Sequence, residues 1–402
     1  MGLTANLGGK KWVAFFANGC KTCAMQHRRQ GGVSPVFWLL ALVNLFVGGM
    51  VGLERTVVPL LATQVFGLER GVAVGAFILS FGLSKAVFNL FAGLMADRFG
   101  RKGVLVLGWL FGIPVPLLLI WAPSWTWVIG ANVLLGINQA LTWSMTVNMM
   151  VDLVPAQRRG VAAGVNEFMG YLGVSLLAFF TGALATAYGL RPVPFYLGIA
   201  AALLGLVLSL RVHETYQPKG LVLQLAWVRG VGMPSLLGLL TNLKDGLVWL
   251  ALPLLLAKRG FTPVEIGAVA GLYPLVWAGG QLVFGPMSDR VGRPGLILGG
   301  VALQGLGLVL LGLAPALGLA LLAATILGLG TSMAYPTLIA QVADKSPPEK
   351  RATALGLYRF FRDGGYVAGA LLAGLGLGGL PGVLVTAGLG LGIVALLAKS
   401  RL

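Results

Sequence analysis

The sequence predicts an all-α polytopic membrane protein, with twelve transmembrane helices in two six-helix pseudo-symmetric halves. Three observations carry this prediction. Of 402 residues, 57% are hydrophobic and only 10% charged, whereas a soluble domain is about 25% charged. So few charges cannot cover a water-facing surface, and lipid must be the solvent. Apolar runs of about 20 residues, enough to cross a ~30 Å hydrocarbon core, recur along the chain. Finally, the chain repeats itself: GLMADRFGRK (93–102) falls on GPMSDRVGRP (285–294), and the same offset brings Asp152 onto Asp344, Pro155 onto Pro347, Arg159 onto Arg351 and Gly164 onto Gly356.

Breaks at glycine, proline and charge clusters place the spans. The first half holds 36–61, 71–95, 103–121, 126–150, 160–185 and 192–211. The second holds 235–257, 264–287, 295–313, 317–341, 353–376 and 382–398. The 61 glycines suit such a bundle, because small residues let membrane helices approach closely. Trp121, Trp125 and Trp127 flank a short turn where an interfacial aromatic belt is expected. The domain division that follows is a tail (1–34), a six-helix bundle (35–211), a linker (212–234) carrying His213, Glu214, Lys219 and Arg229, a second bundle (235–398) and a short tail (399–402).

The net charge of +17 could suggest nucleic acid, but no basic stretch is interleaved with aromatics as such sites require. The charge reads instead as topology. Of the 29 Lys and Arg, 20 fall on one side of the proposed spans, counting Arg211 at the end of its span, 4 on the other and 5 within them. Cytoplasmic loops carry such an excess, so both termini are expected in the cytoplasm of a cell with the protein in its inner membrane. Two cysteines and two histidines form neither a disulfide framework nor a catalytic metal cluster. No serine lies in a nucleophile elbow and no nucleotide-binding loop is present. Neither an enzyme nor a cofactor is therefore expected. Cys20, Cys23 and His27 have spacing that a soft metal or redox role would use. The favoured reading is a disordered tail, or residues ahead of a true start at Met25 or Val33.

The repeated loop carries a family resemblance. G-x-x-x-D-R-x-G-R-K after the second span, with its copy after the eighth, resembles the signature loop of the major facilitator superfamily, and the similarity extends from about residue 34 onward. The resemblance implies the major facilitator fold and secondary transport of a small molecule by alternating access. Gly93 and Gly285 would permit close packing. Asp97 would meet the start of the eleventh span and Asp289 the start of the fifth, with Arg98 and Arg290 the other charged members of the two loops. Arg101 and Arg293 would pair with Asp152 and Asp344 at the ends of spans four and ten. Such a cluster would hold one side shut.

Charges inside the spans are expensive and mark function by default. Here they are Glu54, Arg55, Lys85, Glu167, Lys244, Asp245, Arg359, Arg362 and Asp363. Positions 359, 362, 363 and 366 follow i, i+3, i+4, i+7 and share a helical face, placing Arg359, Arg362, Asp363 and Tyr366 together. Asp363, one turn after Arg359, is expected to pair with it, leaving Arg362 as a free planar donor fork for an anion. Glu167 occupies the repeat position of Arg359, each eight residues past Arg159 or Arg351, ~12 Å along the helix. With no histidine in a span, a carboxylate must carry any proton, and Glu167 is the first candidate, with Glu54 and Asp245 behind it. A structural partnership of Glu167 with Lys85 or an arginine is the alternative. Lys244 and Asp245 point ~100° apart, so one can face the cavity and the other a neighbour. Lys85, Gln139, Trp143, Thr331 and Tyr335 complete the candidate substrate wall, with Trp143 and Tyr335 equivalent in the repeat.

Many proton-coupled drug exporters of the superfamily carry an arginine four residues before a glycine in the fourth span; here that residue is Asn132, before Gly136. The fifth span also lacks the proline those exporters show. The expectation is a monomeric, proton-coupled transporter of a small-molecule substrate, surrounded by membrane lipid and leaning to efflux. The alternatives are a proton-coupled symporter for an organic or inorganic anion and a transporter-like membrane sensor. Five basic residues against four acidic ones within the spans mildly favour an anionic or zwitterionic substrate.

Overall fold

Helix starts and breaks follow local chemistry. Ser34 caps the first helix by accepting a hydrogen bond from the Val36 amide (3.3 Å), with Pro35 preset at the first helical position. Thr262 and Glu265 form a capping box ahead of Pro263. The computed structural model describes residues 34–69, 71–155, 158–215, 231–347, 351–376 and 379–400. The tail with Cys20, Cys23 and His27, and linker residues 216–230, lie outside the described residues, as do the side chains of Asp97 and Arg351.

Twelve α-helices result among the described residues: α1 (Pro35–Gln64), α2 (Gly71–Gly112), α3 (Pro114–Trp121), α4 (Trp125–Asp152), α5 (Arg159–Tyr188), α6 (Val193–Arg211), α7 (Gly232–Lys258), α8 (Pro263–Val291), α9 (Arg293–Leu313), α10 (Leu317–Asp344), α11 (Arg351–Leu375) and α12 (Gly379–Leu397). They extend a few residues beyond the apolar spans because charged and polar ends continue the helix into the interface. The long α2 holds the second span and the start of the third, turned at Gly100 with φ +75°, a left-handed backbone that glycine adopts without strain. The third span then resumes as α3 at Pro114, whose missing N–H interrupts the helix.

Among the described residues, ten helical segments are long and apolar enough to cross a membrane. The fourth and eleventh spans are not among them, because α4 and α11 carry the polar residues described below. Large apolar side chains face outward, including Leu83, Leu110, Phe180, Leu204 and Leu396, while many polar and charged ones are buried. This is the inverse of a water-soluble globule and suits lipid. Trp121 and Trp127 are exposed near the turn as expected of a belt, but Trp125 is not: it is buried and donates to the Ala73 carbonyl of α2 (2.8 Å).

The two halves reuse one packing scheme. In the first, α1 lies on α5; in the second, α7 lies on α11. Gly173 and Gly365, equivalent in the repeat, set this distance. A Cβ at either would come within 1.9 Å of the Leu45 carbonyl or 2.3 Å of the Leu239 carbonyl. Similarly α2 pairs with α4, and α8 with α10.

The halves meet through α2 against α11 and α5 against α8, and they meet at one end only. Near the end remote from the chain termini, here the far end, Gly71 abuts Gly374, Gly75 abuts Ala370, and Gly182 abuts Pro263. At the terminal end, Gly93, Gly164, Gly285 and Gly356 have no neighbouring heavy atom of the described residues within 4 Å of a built Cβ. The close packing expected at Gly93 and Gly285 is therefore absent in this conformation. The halves have splayed at the terminal end, leaving a cleft closed at the far end.

Candidate functional site

The signature loops are built in part as the sequence suggests. Arg101 pairs with Asp152, and Arg293 with Asp344, one pair in each half. Asp289 departs from expectation. Its exposed carboxylate accepts from Arg293 Nη2 (3.1 Å), one turn on, and does not meet the start of α5, because the terminal ends of the halves stand apart. Arg98 lies over the Phe99 ring (5.4 Å) and Arg290 faces outward. The Asp97 side chain, with its expected contact on α11, lies outside the described residues. One participant that the sequence reading passed over is Glu214. Its carboxylate accepts the backbone N–H groups of Arg101 (3.1 Å) and Lys102 (3.0 Å), capping the third span just after Gly100. A lone acid after an apolar span, facing a Gly-Arg-Lys turn, was the available signal.

The cleft narrows to a central cavity of about 590 Å³ empty volume between the halves. Its wall includes Arg55 (α1), Phe81, Lys85 and Asn89 (α2), Gln139, Trp143 and Ser144 (α4), Glu167 and Tyr171 (α5), Tyr335 (α10), and Arg359, Arg362 and Tyr366 (α11). Eight candidates thus converge: Lys85, Gln139, Trp143, Glu167, Tyr335, Arg359, Arg362 and Tyr366. Asn89, Ser144 and Tyr171 were not anticipated, although Tyr171 lies one turn after Glu167 on the same face.

Glu167 bridges the halves. One carboxylate oxygen accepts from Trp143 Nε1 (2.7 Å) and the other from the Tyr335 hydroxyl (3.2 Å). The repeat-related aromatics therefore grip one carboxylate from opposite sides. Tyr171 packs edge-on between them, at 5.4 Å from the Trp143 ring and 6.3 Å from that of Tyr335. Arg362 Nη1 donates to the Tyr335 hydroxyl (2.6 Å), continuing the chain into α11.

The expected pairing on α11 is reversed. Asp363 pairs with Arg362, its neighbour, which donates from Nε (2.9 Å) and Nη2 (2.6 Å). Asn89 and Asn242 donate to the same carboxylate at 2.5 and 3.4 Å. These amides hold Asp363 off the axis toward Arg359, and the long Arg362 side chain folds back onto it. Arg359 is consequently the arginine of the wall without an ion-pair or hydrogen-bond partner among the described residues. Lys85 likewise has no anionic partner within ion-pair distance there; its ammonium sits over Phe81, Trp143 and Tyr366 at 5.4, 5.9 and 5.5 Å. A Lys85–Glu167 pair, the alternative role for Glu167, is not formed in this conformation.

Asp245 and Lys244 separate as their angular offset requires. Asp245 turns to the other half and takes a bidentate pair with Arg55 (3.0 and 2.7 Å), both buried. Lys244 turns into its own half, bonded to Tyr273 and to Thr331 (2.9 Å). Lys244 and Thr331 are therefore behind the wall and do not line the cavity. Glu54 is also off the wall, buried inside the first half. Gln139 is on the wall but spends its amide on the Val47 carbonyl (2.8 Å).

The model of the Major Facilitator Superfamily matches residues 37–226 and 235–401. The chain belongs to that superfamily. Among its superfamily relatives, an uncharacterized MFS-type transporter of Salmonella typhimurium is 27% identical over 354 residues, covering 81% of this chain and 85% of the relative. Multidrug resistance protein 2 of Bacillus subtilis is 23% identical over 294 residues, covering 65% and 68%. The solved nucleoside transporter NupG (D323A mutant) superposes with a TM-score of 0.71 at 13% identity, covering 91% of this chain and 99% of that one. At that identity the likeness is one of fold. The superfamily is one of transporters, and in its fold the wall just described occupies the boundary between the two halves.

Proposed function

We propose that this superfamily member is a proton-coupled symporter for a small organic anion. The observation that carries the proposal is the pair of wall cations, Lys85 and Arg359, which lack a protein anion among the described residues although they border the central cavity. A cation in such a place calls for a counter-charge, and a bound anion supplies one. Arg359 offers a planar donor fork suited to a carboxylate or phosphate. Aromatic faces from Phe81, Trp143 and Tyr366 can hold the organic portion.

Glu167 supports coupling to protons. An anion between Lys85 and Arg359 competes with ionised Glu167 for the same positive field, so it binds best once Glu167 has taken a proton. By linkage, the proton in turn binds best when the anion is present. Two ligands that favour each other's binding travel together, which is symport. A cationic drug would compete with the proton and give antiport. The efflux reading draws on the similarity to a multidrug resistance protein, but Asn132 in place of an exporter arginine and the unpaired cations both favour the anion. In this proposal the terminal end faces the cytoplasm, so the splayed state is open inward.

The test is a thermal-shift screen of purified protein against carboxylates, phosphate esters, neutral nucleosides and hydrophobic cations, followed by flux into proteoliposomes under an imposed pH gradient. An anion should stabilise the protein and accumulate when the outside is acidic. Stabilisation by hydrophobic cations alone, or accumulation driven by the opposite gradient, overturns the reading.

A further inference from the structure

Two adjacent pairs of charged residues face each other across the halves: Glu54-Arg55 on α1 and Lys244-Asp245 on α7. The inner members are satisfied, since Arg55 and Asp245 form the bidentate pair, with Trp249 stacked on the guanidinium at 4.9 Å. The outer members are not. Both oxygens of Glu54 lack a hydrogen-bond partner meeting distance and angle criteria among the described residues, with the Asn132 side chain as the polar group nearest to it. The Asn132 amide nitrogen is already committed to the Val128 carbonyl (3.1 Å). A fully buried carboxylate with no cation and no donor on either oxygen is favoured as the neutral acid. Lys244, with no exposed surface, has the Tyr273 and Thr331 hydroxyls and the rings of Tyr273 and Trp277 around it, but no carboxylate within ion-pair distance among the described residues. A buried ammonium without a counter-ion is strongly disfavoured.

We infer that Glu54, Arg55, Lys244 and Asp245 form a partner-exchange switch, in which Glu54 is protonated and Lys244 is a neutral amine while the far end is closed, and both become ionised when it opens. Opening separates α1 from α7 and breaks the Arg55–Asp245 pair. Each freed charge then turns to its chain neighbour, Arg55 to Glu54 and Lys244 to Asp245. The same molecule shows that adjacent residues on a helix can pair this way, because Arg362 holds Asp363 with two hydrogen bonds. In both new pairs the longer, cationic side chain does the reaching.

The proton balance is closed. One proton leaves the Glu54 carboxyl and one arrives on the Lys244 amine, through water that enters the opened end. The net charge of the four residues is zero in both states, so the halves can part without stranding a charge. The groups that face this set from other helices are Asn132 (α4) on Glu54, Tyr273 and Thr331 on Lys244, and Tyr366 with Lys85 on Asp245. The switch requires only that the far end opens, and rests neither on the anion nor on Glu167.

The test reads far-end opening by spin-label distances between cysteines placed at Gln64 and Lys258, exposed positions at the far ends of α1 and α7, with Cys20 and Cys23 replaced by serine. In Glu54→Gln, opening still adds a proton to Lys244 but releases none. Relative to the parent, the open-to-closed ratio should rise up to tenfold for each unit that pH falls. In Lys244→Met, opening releases the Glu54 proton and takes none up, so the ratio should rise up to tenfold for each unit that pH rises. The double variant should return to the slope of the parent. Slopes of the same sign, or slopes unchanged from the parent, overturn the inference. Both substitutions mimic the neutral side chain of the closed form, so a variant that fails to fold overturns it as well.

Discussion

Replacing Arg362 with methionine removes the cation that neutralises a fully buried carboxylate. Asp363 would lose the Nε and Nη2 hydrogen bonds at 2.9 and 2.6 Å, and Tyr335 would lose its donor at 2.6 Å. Breaking a buried ion pair by deleting one partner destabilises by about 3–5 kcal/mol. The amides of Asn89 and Asn242 stay on Asp363, which puts the expected loss near the lower bound, about 3 kcal/mol. Removing both charges should reverse most of it. Arg362→Met with Asp363→Asn is expected within about 1 kcal/mol of the parent, because a neutral replacement of a buried pair is often free of penalty. The measurement is a double-mutant cycle on unfolding by dodecyl sulfate titration in mixed micelles, followed by tryptophan fluorescence. The reasoning fails if the single variant loses under about 1 kcal/mol, or if the double variant is no better than the single.

Arg359→Ala should weaken binding of an anionic ligand at least tenfold, about 1.4 kcal/mol, with little effect on unfolding, since Arg359 has no partner to strand among the described residues; direct titration of both variants separates it from Arg362. Glu167→Gln should abolish accumulation driven by a pH gradient while retaining substrate exchange in proteoliposomes, and uphill transport by that variant would move the proton to another group. Glu214→Ala strips the acceptor from two N–H groups at the start of the third span, a loss of about 1 kcal/mol by analogy with N-caps, read as faster amide exchange at Arg101 and Lys102.

The fold was legible because two independent signals agree. Spans of bilayer length fix the helix count, and the constant offset of the repeat fixes the division into halves. Residues of the wall were legible as charges and aromatics inside spans, but their partners were not. Helical spacing favoured Arg359 for Asp363, whereas amides from α2 and α7, invisible to a one-helix argument, placed that carboxylate beside Arg362. The offset between Lys244 and Asp245 showed that they diverge, without saying which faces the other half. Nor could the sequence report which end of the cleft is shut. Gly93 and Gly285 are contact residues only when the terminal ends meet, and conformation is not a property of one sequence position.

The polarity of α4 and α11 bears on how the chain enters a bilayer. Neither is among the segments apolar enough to partition by composition alone, and α11 brings Arg359, Arg362 and Asp363, each worth about 2.5–3.5 kcal/mol against insertion of an isolated helix. Such a segment needs company at the moment of integration. For α4 the companion is α2, against which it packs, and for α11 it is α7 together with α2. All of these are synthesised earlier than the helix they shelter. Asn89 and Asn242, one from each companion, already present the amides that receive Asp363. Integration of the eleventh helix is thus a docking event onto a prepared surface, and loss of either asparagine should be felt during biogenesis before it is felt in transport.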